Sequence, residues 1–262
     1  MTYLDRIVAA HRAAAEHDAR PLASMLDRAT GMPPTRGFRA ALSAAPADEV
    51  AVIAEVKRRS PSRGALAPDL DPARLATAYA SGGATCLSVL TDEAFFGGSA
   101  ADLAAARGAC NLPVLRKDFT VSERDVADAR LMGADAVLLI VAVLVDDELE
   151  RYLDLAGKVG LDALVEVHDE AELARAAALG ADLIGVNQRD LVTFEVDSAR
   201  AVRLAEALPA GAIGVAESGI RDAADARALH DAGYRAVLVG ETLVTSADPT
   251  EAVTQLRRCA AS

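Results

Sequence analysis

The sequence predicts a single (β/α)8 TIM barrel, an α/β fold, preceded by an N-terminal helical extension. Three observations support this prediction. Eight short apolar runs recur along the chain, Ala-rich amphipathic stretches separate most of them, and polar side chains follow several runs at the same end. Alternating β and α elements indicate a parallel sheet, and eight such units in 262 residues match a closed barrel.

The extension comprises residues 1–47 and is predicted to contain two or three helices. The first helix is expected over roughly residues 3–18, and the segment 31–34, Gly-Met-Pro-Pro, breaks the pattern. We expect the extension either to cap the barrel bottom or to fold over the mouth. Residues 48–262 form the barrel, and no Pro/Ser-rich linker divides the chain.

The eight apolar runs are the predicted barrel strands. Continuous runs rich in β-branched residues and leucine are typical of strands that are buried on both faces. In chain order they are residues 51–57, 85–90, 112–119, 136–141, 163–168, 183–189, 212–217 and 236–239. An open doubly wound sheet is the alternative, but no Gly-rich dinucleotide turn follows the first run.

Helix start and stop signals lie between these runs. An Asp or Ser N-cap opens each of four stretches, and a glycine closes each one. The opening pairs are Asp71-Pro72, Ser122-Glu123, Asp169-Glu170 and Arg221-Asp222, and the closing segments are 81–83, 132–133, 179–180 and 232–233. The strand–helix unit therefore recurs roughly every 20 to 35 residues.

Charged side chains end the first run. Glu55 and Lys57 have the same parity, so both project to one side of an otherwise apolar strand. Such a charged pair is more typical of a working site than of a core. Four more runs carry polar residues at this end: Lys117, Glu166, Asn187 with Arg189, and Glu217. A strand end turning to solvent explains one case, but five cases favour a shared site at the mouth.

Two glycine turns predict a phosphate site. Ser218 and Gly219 follow the seventh run, and Gly240 and Glu241 follow the eighth, each before a short helix. Exposed backbone N–H groups at helix starts suit phosphate, and the loops after strands seven and eight often bind it in this fold. Ordinary tight turns would also use glycine, but the pairing at these two positions favours phosphate.

The distribution of charge along the chain indicates which classes of binding partner to expect. The net charge of −12 argues against nucleic acid or an anionic membrane surface. Cations nevertheless cluster near the predicted mouth, which indicates an anionic small molecule: Lys57, Arg58, Arg59, Arg63, Arg116, Lys117 and Arg189. A solvated basic loop explains Arg58, Arg59 and Arg116 equally well, and these three are left unassigned.

Cysteine and histidine patterns give no metal or disulfide signature. Cys86, Cys110 and Cys259 lack CxxC spacing, and no two of the four histidines share metal-ligand spacing on one element. We therefore expect no metal ligands. No signal peptide or membrane-spanning stretch is visible, so a cytoplasmic location is expected.

Seven segments resemble the indole-3-glycerol phosphate synthase family. They occur in order from about residue 48 onward, one for most strands: residues 52–64, 96–99, 115–119, 164–168, 184–191, 215–220 and 239–241. The extension is similar in helical character more than in residues, and at Arg36-Gly37-Phe38 the family pattern has an acidic residue before the phenylalanine.

The resemblance implies a reaction and roles. Family members convert 1-(2-carboxyphenylamino)-1-deoxy-D-ribulose 5-phosphate to indole-3-glycerol phosphate, carbon dioxide and water, without a cofactor. Lys117 matches the general acid, Glu166 the group for proton removal and cation stabilisation, and Lys57 a second acid that also lies near the phosphate. The other matched residues are Glu55, Asn187, Arg189 and Glu217 as polar orienting groups, Ser60 near the substrate carboxylate, and Phe96, Phe119, Leu191 and Leu238 as an apolar wall.

Two alternatives remain at this stage. Another phosphate-binding barrel, an isomerase or a lyase, would share the glycine turns. Phosphoribosylanthranilate isomerase, however, carries a cysteine at the end of its first strand, where this chain has Glu55 and Lys57. A non-catalytic phosphate-ligand-binding barrel should have lost Lys57, Lys117 or Glu166, and all three are present. The expected partner is a small phosphorylated anthranilate derivative, with the chain acting as a monomer or weak homodimer.

Overall fold

Eight parallel strands close into a barrel in the computed structural model, which describes residues 2–60 and 63–258. Pro61, Ser62 and Cys259 lie outside the described residues. The barrel strands are β1 (Ala51–Val56), β4 (Cys86–Leu90), β5 (Val114–Lys117), β6 (Ala136–Ile140), β7 (Asp162–Val167), β8 (Leu183–Asn187), β9 (Ile213–Glu217) and β10 (Ala236–Val239). Each barrel strand pairs with the next along the chain, and β10 pairs with β1. The predicted (β/α)8 fold is confirmed.

The two faces of each strand pack in different layers. In β1, Ala51 and Ile53 join the cluster inside the barrel, whereas Val52, Ala54 and Val56 join the cluster between barrel and helices. Side chains alternate between faces along a strand, so Glu55 belongs to the inner face, as its parity predicts. A short antiparallel hairpin, β2 (Arg59–Ser60) with β3 (Gly64–Ala65), follows β1.

Side-chain caps start the barrel helices where the sequence predicts them. The Asp71 carboxylate accepts hydrogen bonds from the N–H groups of Ala73 and Arg74, and Ser122, Asp169 and Asp222 cap in the same way. After the hairpin the helices are α4 (Pro72–Ser81), α5 (Glu93–Phe96), α6 (Ala100–Ala109), α7 (Glu123–Leu131), α8 (Asp146–Lys158), α9 (Glu170–Ala178), α10 (Arg200–Leu204), α11 (Ala223–Asp231), α12 (Glu241–Val244) and α13 (Pro249–Arg257), with a 3-10 turn at Ala205–Ala207.

The strand predicted over residues 183–189 ends earlier. Strand β8 stops at Asn187, and Arg189 forms an isolated antiparallel bridge with Val196. Arg189 therefore belongs to the loop after β8, because its backbone pairs within that loop instead of continuing the parallel ladder with β9.

The N-terminal extension contacts both ends of the barrel. It forms α1 (Tyr3–His17), α2 (Leu22–Thr30) and α3 (Phe38–Ala44). At the bottom, Phe38 is buried in the interior cluster, its carbonyl accepts a hydrogen bond from Cys86 Sγ, and Arg39 N–H donates to Asp162 at the start of β7. Helix α2 packs on α7, and α1 reaches the opposite end. The extension therefore caps the bottom with α3 and meets the mouth with α1.

Among the described residues, no helix has the length and apolar character required to span a membrane.

Candidate active site

A cavity of about 420 Å3 opens at the C-terminal ends of the strands, and every barrel strand contributes to its lining. A cavity of this size suits a small organic ligand. The lining includes all the site residues that the sequence predicts: Glu55, Lys57, Ser60, Phe96, Lys117, Phe119, Glu166, Asn187, Arg189, Leu191, Glu217, Ser218, Gly219, Leu238, Gly240 and Glu241. The predicted convergence of these separate segments is confirmed, and the role of each residue stays a prediction.

A buried ion-pair network occupies the floor of the cavity. Lys117 Nζ lies 3.1 Å from Glu166 Oε2 and 3.6 Å from Glu217 Oε2. Asn187 Nδ2 donates a 3.1 Å hydrogen bond to the other Glu166 oxygen, Oε1. Strands β5, β7, β8 and β9 thus each supply one member of a network that holds Glu166 by both oxygens.

Burial and neighbouring charges separate the two carboxyl groups of this network. For Glu166, burial alone would raise the pKa, but the charge of Lys117, with contributions from His168 and Asn187, lowers it below the ordinary value. For Glu217, burial and the nearby Glu166 charge raise the pKa to about 8. Glu166 is therefore an anion and Glu217 a protonated acid at neutral pH.

Lys117 is held in its charged form. Burial by itself would lower its pKa, but the negative charge of Glu166, with contributions from Glu217 once it ionises and from Glu55, outweighs that effect and raises the pKa above its ordinary value. The ammonium group is thus available as a proton donor in a cavity that is largely shielded from water.

A second charged pair lies on β1 and the segment that follows it. Lys57 Nζ is 2.5 Å from Glu55 Oε1, and Ser88 Oγ on β4 donates a 3.5 Å hydrogen bond to Glu55 Oε2. Gly240 makes room for the pair, because a methyl group there would lie 2.9 Å from Lys57 Nζ and in closer contact with Glu55. Ser88 was not predicted, although its inward parity on a buried strand is a usable signal.

The two glycine turns face the same cavity. Ser218 and Gly219 both have positive φ, 66° and 75°, so consecutive backbone N–H groups turn toward one side. Gln188 Nε2 fixes the turn by donating a 2.8 Å hydrogen bond to the Ser218 carbonyl. Gly240 and Glu241 complete the lining after β10. This arrangement can bind an anion through the backbone.

Aromatic and aliphatic side chains form the apolar part of the cavity lining. The rings of Phe96 and Phe119 lie 6.3 Å apart at 37°, and Leu238 and Leu191 also line the cavity. Leu138 and Ile140 on β6 belong to this apolar lining and were not predicted. Their alternate spacing on an apolar strand was the available signal, but β6 carries no polar residue to draw attention to its inner face.

The unassigned arginines make structural contacts. Arg58 pairs with Asp102 on α6, and Arg59 donates to the Ala94 carbonyl. Arg116, which was also left unassigned, does not lie in a solvated loop. Its guanidinium is buried, 2.9 Å from Asp118 Oδ2, because its parity on β5 points it away from the barrel interior.

Helix α1 is fastened to the rim of the mouth. His11 Nε2 lies 2.8 Å from Asp92 Oδ2 and 3.9 Å from Asp118 Oδ1. At the helix start, the Tyr3 ring makes edge contacts with Phe95 and Phe194, at 5.9 and 5.4 Å between centroids. These contacts join the loops after β4, β5 and β8, and no local sequence pattern predicts them.

The side chains of His11, Asp92 and Asp118 are close enough together to bind one cation. The ligand atoms of His11, Asp92 and Asp118 lie within 4.8 Å of one another. Both Asp118 oxygens already accept hydrogen bonds, from Thr91 and Arg116 on one side and from Phe119 N–H on the other. The adjacent guanidinium also opposes a cation, so we interpret the group as a docking contact for α1.

The chain matches the family model described as "Indole-3-glycerol phosphate synthase" over residues 4–256. Proteins of that name are similar over nearly the full length. The one from Chlorobium phaeovibrioides is 48% identical over 250 residues, covering 95% of this chain and 96% of the relative. The one from Nocardioides sp. is 50% identical over 262 residues, covering 98% of each chain. "Indole-3-glycerol phosphate synthase 2" from Streptomyces coelicolor is 52% identical and covers 88% of each.

Solved structures share the fold at low sequence identity. A 3-hexulose-6-phosphate synthase superposes with a TM-score of 0.64 at 16% identity, covering 81% of this chain and all of that one. Thiamine phosphate pyrophosphorylase from Pyrococcus furiosus gives 0.61 at 18% identity, covering 81% and 96%. At these identities the similarity shows the barrel fold alone.

Proposed function

The chain belongs to the indole-3-glycerol phosphate synthase family, and we propose that its buried lysine–glutamate network carries out the ring closure of that reaction. It is accordingly a carboxy-lyase of tryptophan biosynthesis, which forms indole-3-glycerol phosphate, carbon dioxide and water. The observation that supports the proposed roles is the position of Lys117 Nζ between Glu166 and Glu217 in the cavity.

The cavity suggests how the substrate lies. We assign the phosphate to the backbone turn at Ser218 and Gly219 and to Gly240 and Glu241, with Lys57 next to Gly240 as a countercharge. The carboxyphenyl ring packs against the apolar lining residues Phe96, Phe119, Leu191 and Leu238. The carboxylate of this ring then faces Lys57 and Ser60. Arg189, in the loop after β8, contacts the substrate from that side of the cavity.

Lys117 supplies the proton for ring closure in this scheme. A carbon–carbon bond forms between the ring carbon that carries the carboxylate and the ribulose carbonyl carbon. The carbonyl oxygen gains negative charge as that bond forms, and the Lys117 ammonium neutralises it by giving up a proton. Burial in the cavity strengthens this interaction because little water competes for the oxygen.

Glu166 acts in the steps that follow. The condensed intermediate carries positive charge at nitrogen, which a carboxylate held as an anion stabilises while carbon dioxide leaves. Removal of a ring proton and loss of the hydroxyl group as water then complete the indole. We assign proton removal to Glu166, which Asn187 orients, and assistance of hydroxide departure to Lys57, which Glu55 orients.

Glu217 lies beside both groups as a neutral acid. Its carboxyl group is 3.6 Å from Lys117 Nζ and adds no second full negative charge to the Glu166 side. Every proton transfer in the scheme uses a side chain of this protein, and no cofactor takes part. Since the charged residues interact strongly, the protons belong to the network as a whole.

All these groups come from one chain, so we propose that the site is complete in a monomer.

A cytoplasmic location is supported by the unpaired Cys86 and Cys110 thiols, which a reducing compartment preserves.

Turnover by the purified protein tests the proposal directly. We expect indole fluorescence to appear when 1-(2-carboxyphenylamino)-1-deoxy-D-ribulose 5-phosphate is added without metal or cofactor. Lys117→Ala should lower kcat by at least about a hundredfold, the usual size of a general acid contribution. Lys158→Ala is the matched control, because that lysine is exposed on α8, where it pairs with the exposed Asp154. Turnover close to the parent value in Lys117→Ala would contradict the assignment.

A further inference from the structure

His168 lies beside Glu166, outside the lining of the cavity. It follows β7 with the same parity as Glu166, and its side chain is 12% exposed. Its Nε2 atom faces Glu166 Oε1 at 3.4 Å, and its Nδ1 atom lies 3.0 Å from Glu172 Oε2 on α9. The backbone N–H of His168 donates to the same Glu172 oxygen. The imidazole is therefore held between two carboxylates.

This geometry selects the charged form of the ring. A neutral imidazole has one N–H donor and one lone-pair acceptor, so one nitrogen would point a lone pair at a carboxylate oxygen. The imidazolium has donors at both nitrogens and can meet both carboxylates. Burial opposes that charge, but Glu166 and Glu172 outweigh burial and raise the pKa of His168 to about 9. Among the described residues, the charged groups that face the ring are those two carboxylates, one from β7 and one from α9.

Two cations thus approach Glu166 from different sides. Lys117 contacts Oε2 from the cavity, whereas His168 approaches Oε1, which also accepts the hydrogen bond from Asn187. Glu217 completes the charged and titratable groups around the Glu166 carboxylate. Only Lys117 of the two cations is in a position to meet the substrate, because His168 is outside the lining.

The two cations therefore behave differently during turnover. In the proposed scheme the Lys117 ammonium gives its proton to the substrate oxygen, and its positive charge is lost at that moment. A buried carboxylate without a cationic neighbour favours its protonated form. His168 exchanges no proton with the substrate, so its charge persists when that of Lys117 does not.

We propose that His168 is a positioning residue that keeps Glu166 oriented, and anionic until it takes the substrate proton, by acting as a permanent positive charge beside it. The inference rests on the proposed function, in which Glu166 is the group that stabilises the cation and removes the proton. It assigns to the Glu172–His168–Glu166 chain of contacts a role in the pH range over which the enzyme works.

The first test is His168→Gln, which retains an amide donor and removes the charge. We expect kcat to fall about tenfold and KM to change less than about twofold, because the substrate does not contact this side chain. The acidic limb of the kcat–pH profile should move upward by about one pH unit, since Glu166 loses a nearby positive charge. His17→Gln, an exposed histidine at the end of α1, is the control and should change neither quantity.

Glu172→Gln tests the same idea without touching the imidazole. The amide oxygen can still accept from the His168 backbone N–H and Nδ1, so the start of α9 is retained while the second negative charge is removed. We expect the His168 ring to titrate at a lower pH in this variant, whereas the acidic limb, which lies in a range where His168 is charged in both proteins, should not move upward. This variant also covers the case in which His168→Gln does not fold.

NMR titration of the unmodified enzyme gives a readout independent of turnover. The His168 ring resonance, assigned from its absence in His168→Gln or by sequential assignment, should titrate near pH 9. Titration at or below the ordinary value of 6.5 would overturn the inference, and so would a lower kcat with an unmoved acidic limb, which indicates a purely structural role. Glu166→Gln separates the two proposals: if it keeps full turnover the proposed function fails, whereas an inactive Glu166→Gln with an unmoved limb in His168→Gln overturns this inference alone.

Discussion

At the scale of single residues, the site depends on chemically identical groups that have different protonation states. Glu166 and Glu217 are both buried on neighbouring inner faces of the barrel, yet one is an anion and the other carries a proton. The difference follows from the contacts of Glu166 with Lys117, Asn187 and His168, which outnumber those available to Glu217. One carboxyl group is therefore available to stabilise positive charge, while the other adds no second anion next to Lys117 as long as it stays protonated.

Glu217→Gln should remove the alkaline limb of the kcat–pH profile. Because the Glu217 pKa is raised to about 8, the carboxyl group is neutral below that pH and ionises above it. The new anion, near Lys117, strengthens the hold of the ammonium on its proton and weakens it as an acid. Glutamine mimics the protonated form at every pH, so the variant should keep most of its activity at pH 7 and lose less of it at pH 9. An unchanged alkaline limb would assign that limb to another group.

Gly240→Ala should lower kcat/KM by about tenfold or more without unfolding the protein. The added methyl group would displace the Glu55–Lys57 pair, whose atoms are its nearest neighbours, and the φ of −113° is accessible to alanine. Steady-state kinetics and a thermal melt measure the two effects. Gly108→Ala on α6 is the control, since a methyl group there meets no other atom within 4 Å. Equal kcat/KM values for Gly240→Ala and Gly108→Ala would show that turnover does not depend on the present position of the Glu55–Lys57 pair.

At the scale of elements, helices of the N-terminal extension contact different ends of the barrel. Helix α1 connects the loops after β4, β5 and β8 at the mouth, whereas α3 inserts Phe38 into the bottom of the barrel. The same segment of chain therefore contacts both the side where binding occurs and the side that carries the strand starts. Loss of α1 contacts should affect the site, and loss of α3 contacts should affect stability.

His11→Ala should loosen α1 and raise KM several-fold. The mutation removes the side chain that contacts Asp92 and Asp118, next to the cavity wall at Phe119. Hydrogen exchange of residues 3–17, together with KM, measures the effect, and His17→Ala is the control. No change in exchange within α1 would contradict the docking role.

The docking of α1 should also depend on pH. Burial lowers the pKa of His11, but the hydrogen bond that the ring donates to Asp92 and the charge of Asp118 outweigh it, so the pKa lies above the ordinary 6.5. The stabilisation is then fully present below pH 6.5 and is lost as the pH rises through the raised value. In the parent enzyme, exchange of α1 corrected for intrinsic rates should therefore increase toward alkaline pH, and in His11→Ala it should not.

Phe38→Ala should reduce the free energy of unfolding by about 3–5 kcal/mol, as expected for a large aromatic side chain removed from a core. Phe38 is fully buried in the interior cluster, among residues at the starts of the strands. Urea denaturation measures the loss. The kcat of the folded variant should stay unchanged because the cavity lies at the other end, and a large loss of kcat would contradict this separation.

At the scale of the whole molecule, the barrel turns distant parts of the chain into neighbours. Residues near 55, 117, 166, 187 and 217 meet at one rim because parallel strands place all their C-terminal ends on the same side. An acidic chain of net charge −12 can in this way present a small cluster of cations to an anionic substrate. The helices around the barrel bury its outer face, and the charged groups remain where the inner face opens.

Much of this was predictable from local patterns. Alternation along a strand placed Glu55, Lys57 and Glu166 on inner faces, and N-cap residues such as Asp71 and Ser122 placed the helix starts. These features depend on neighbours within a few positions, so the sequence contains them directly. The glycine turns after β9 and β10 belong to the same class, since positive φ or a close approach limits the residue that can occupy them.

The tertiary structure decided what depends on distance and burial between separate segments. It showed that the surroundings shift the pKa values of Glu166 and Glu217 in opposite directions, that Arg116 is buried against Asp118, and that His168 lies between Glu166 and Glu172. It also divided the extension between the mouth and the bottom. The order of residues alone determined which side chains reach the mouth of the barrel. Their protonation and pairing follow from electrostatic interactions that act through space, and only the closed barrel sets those distances.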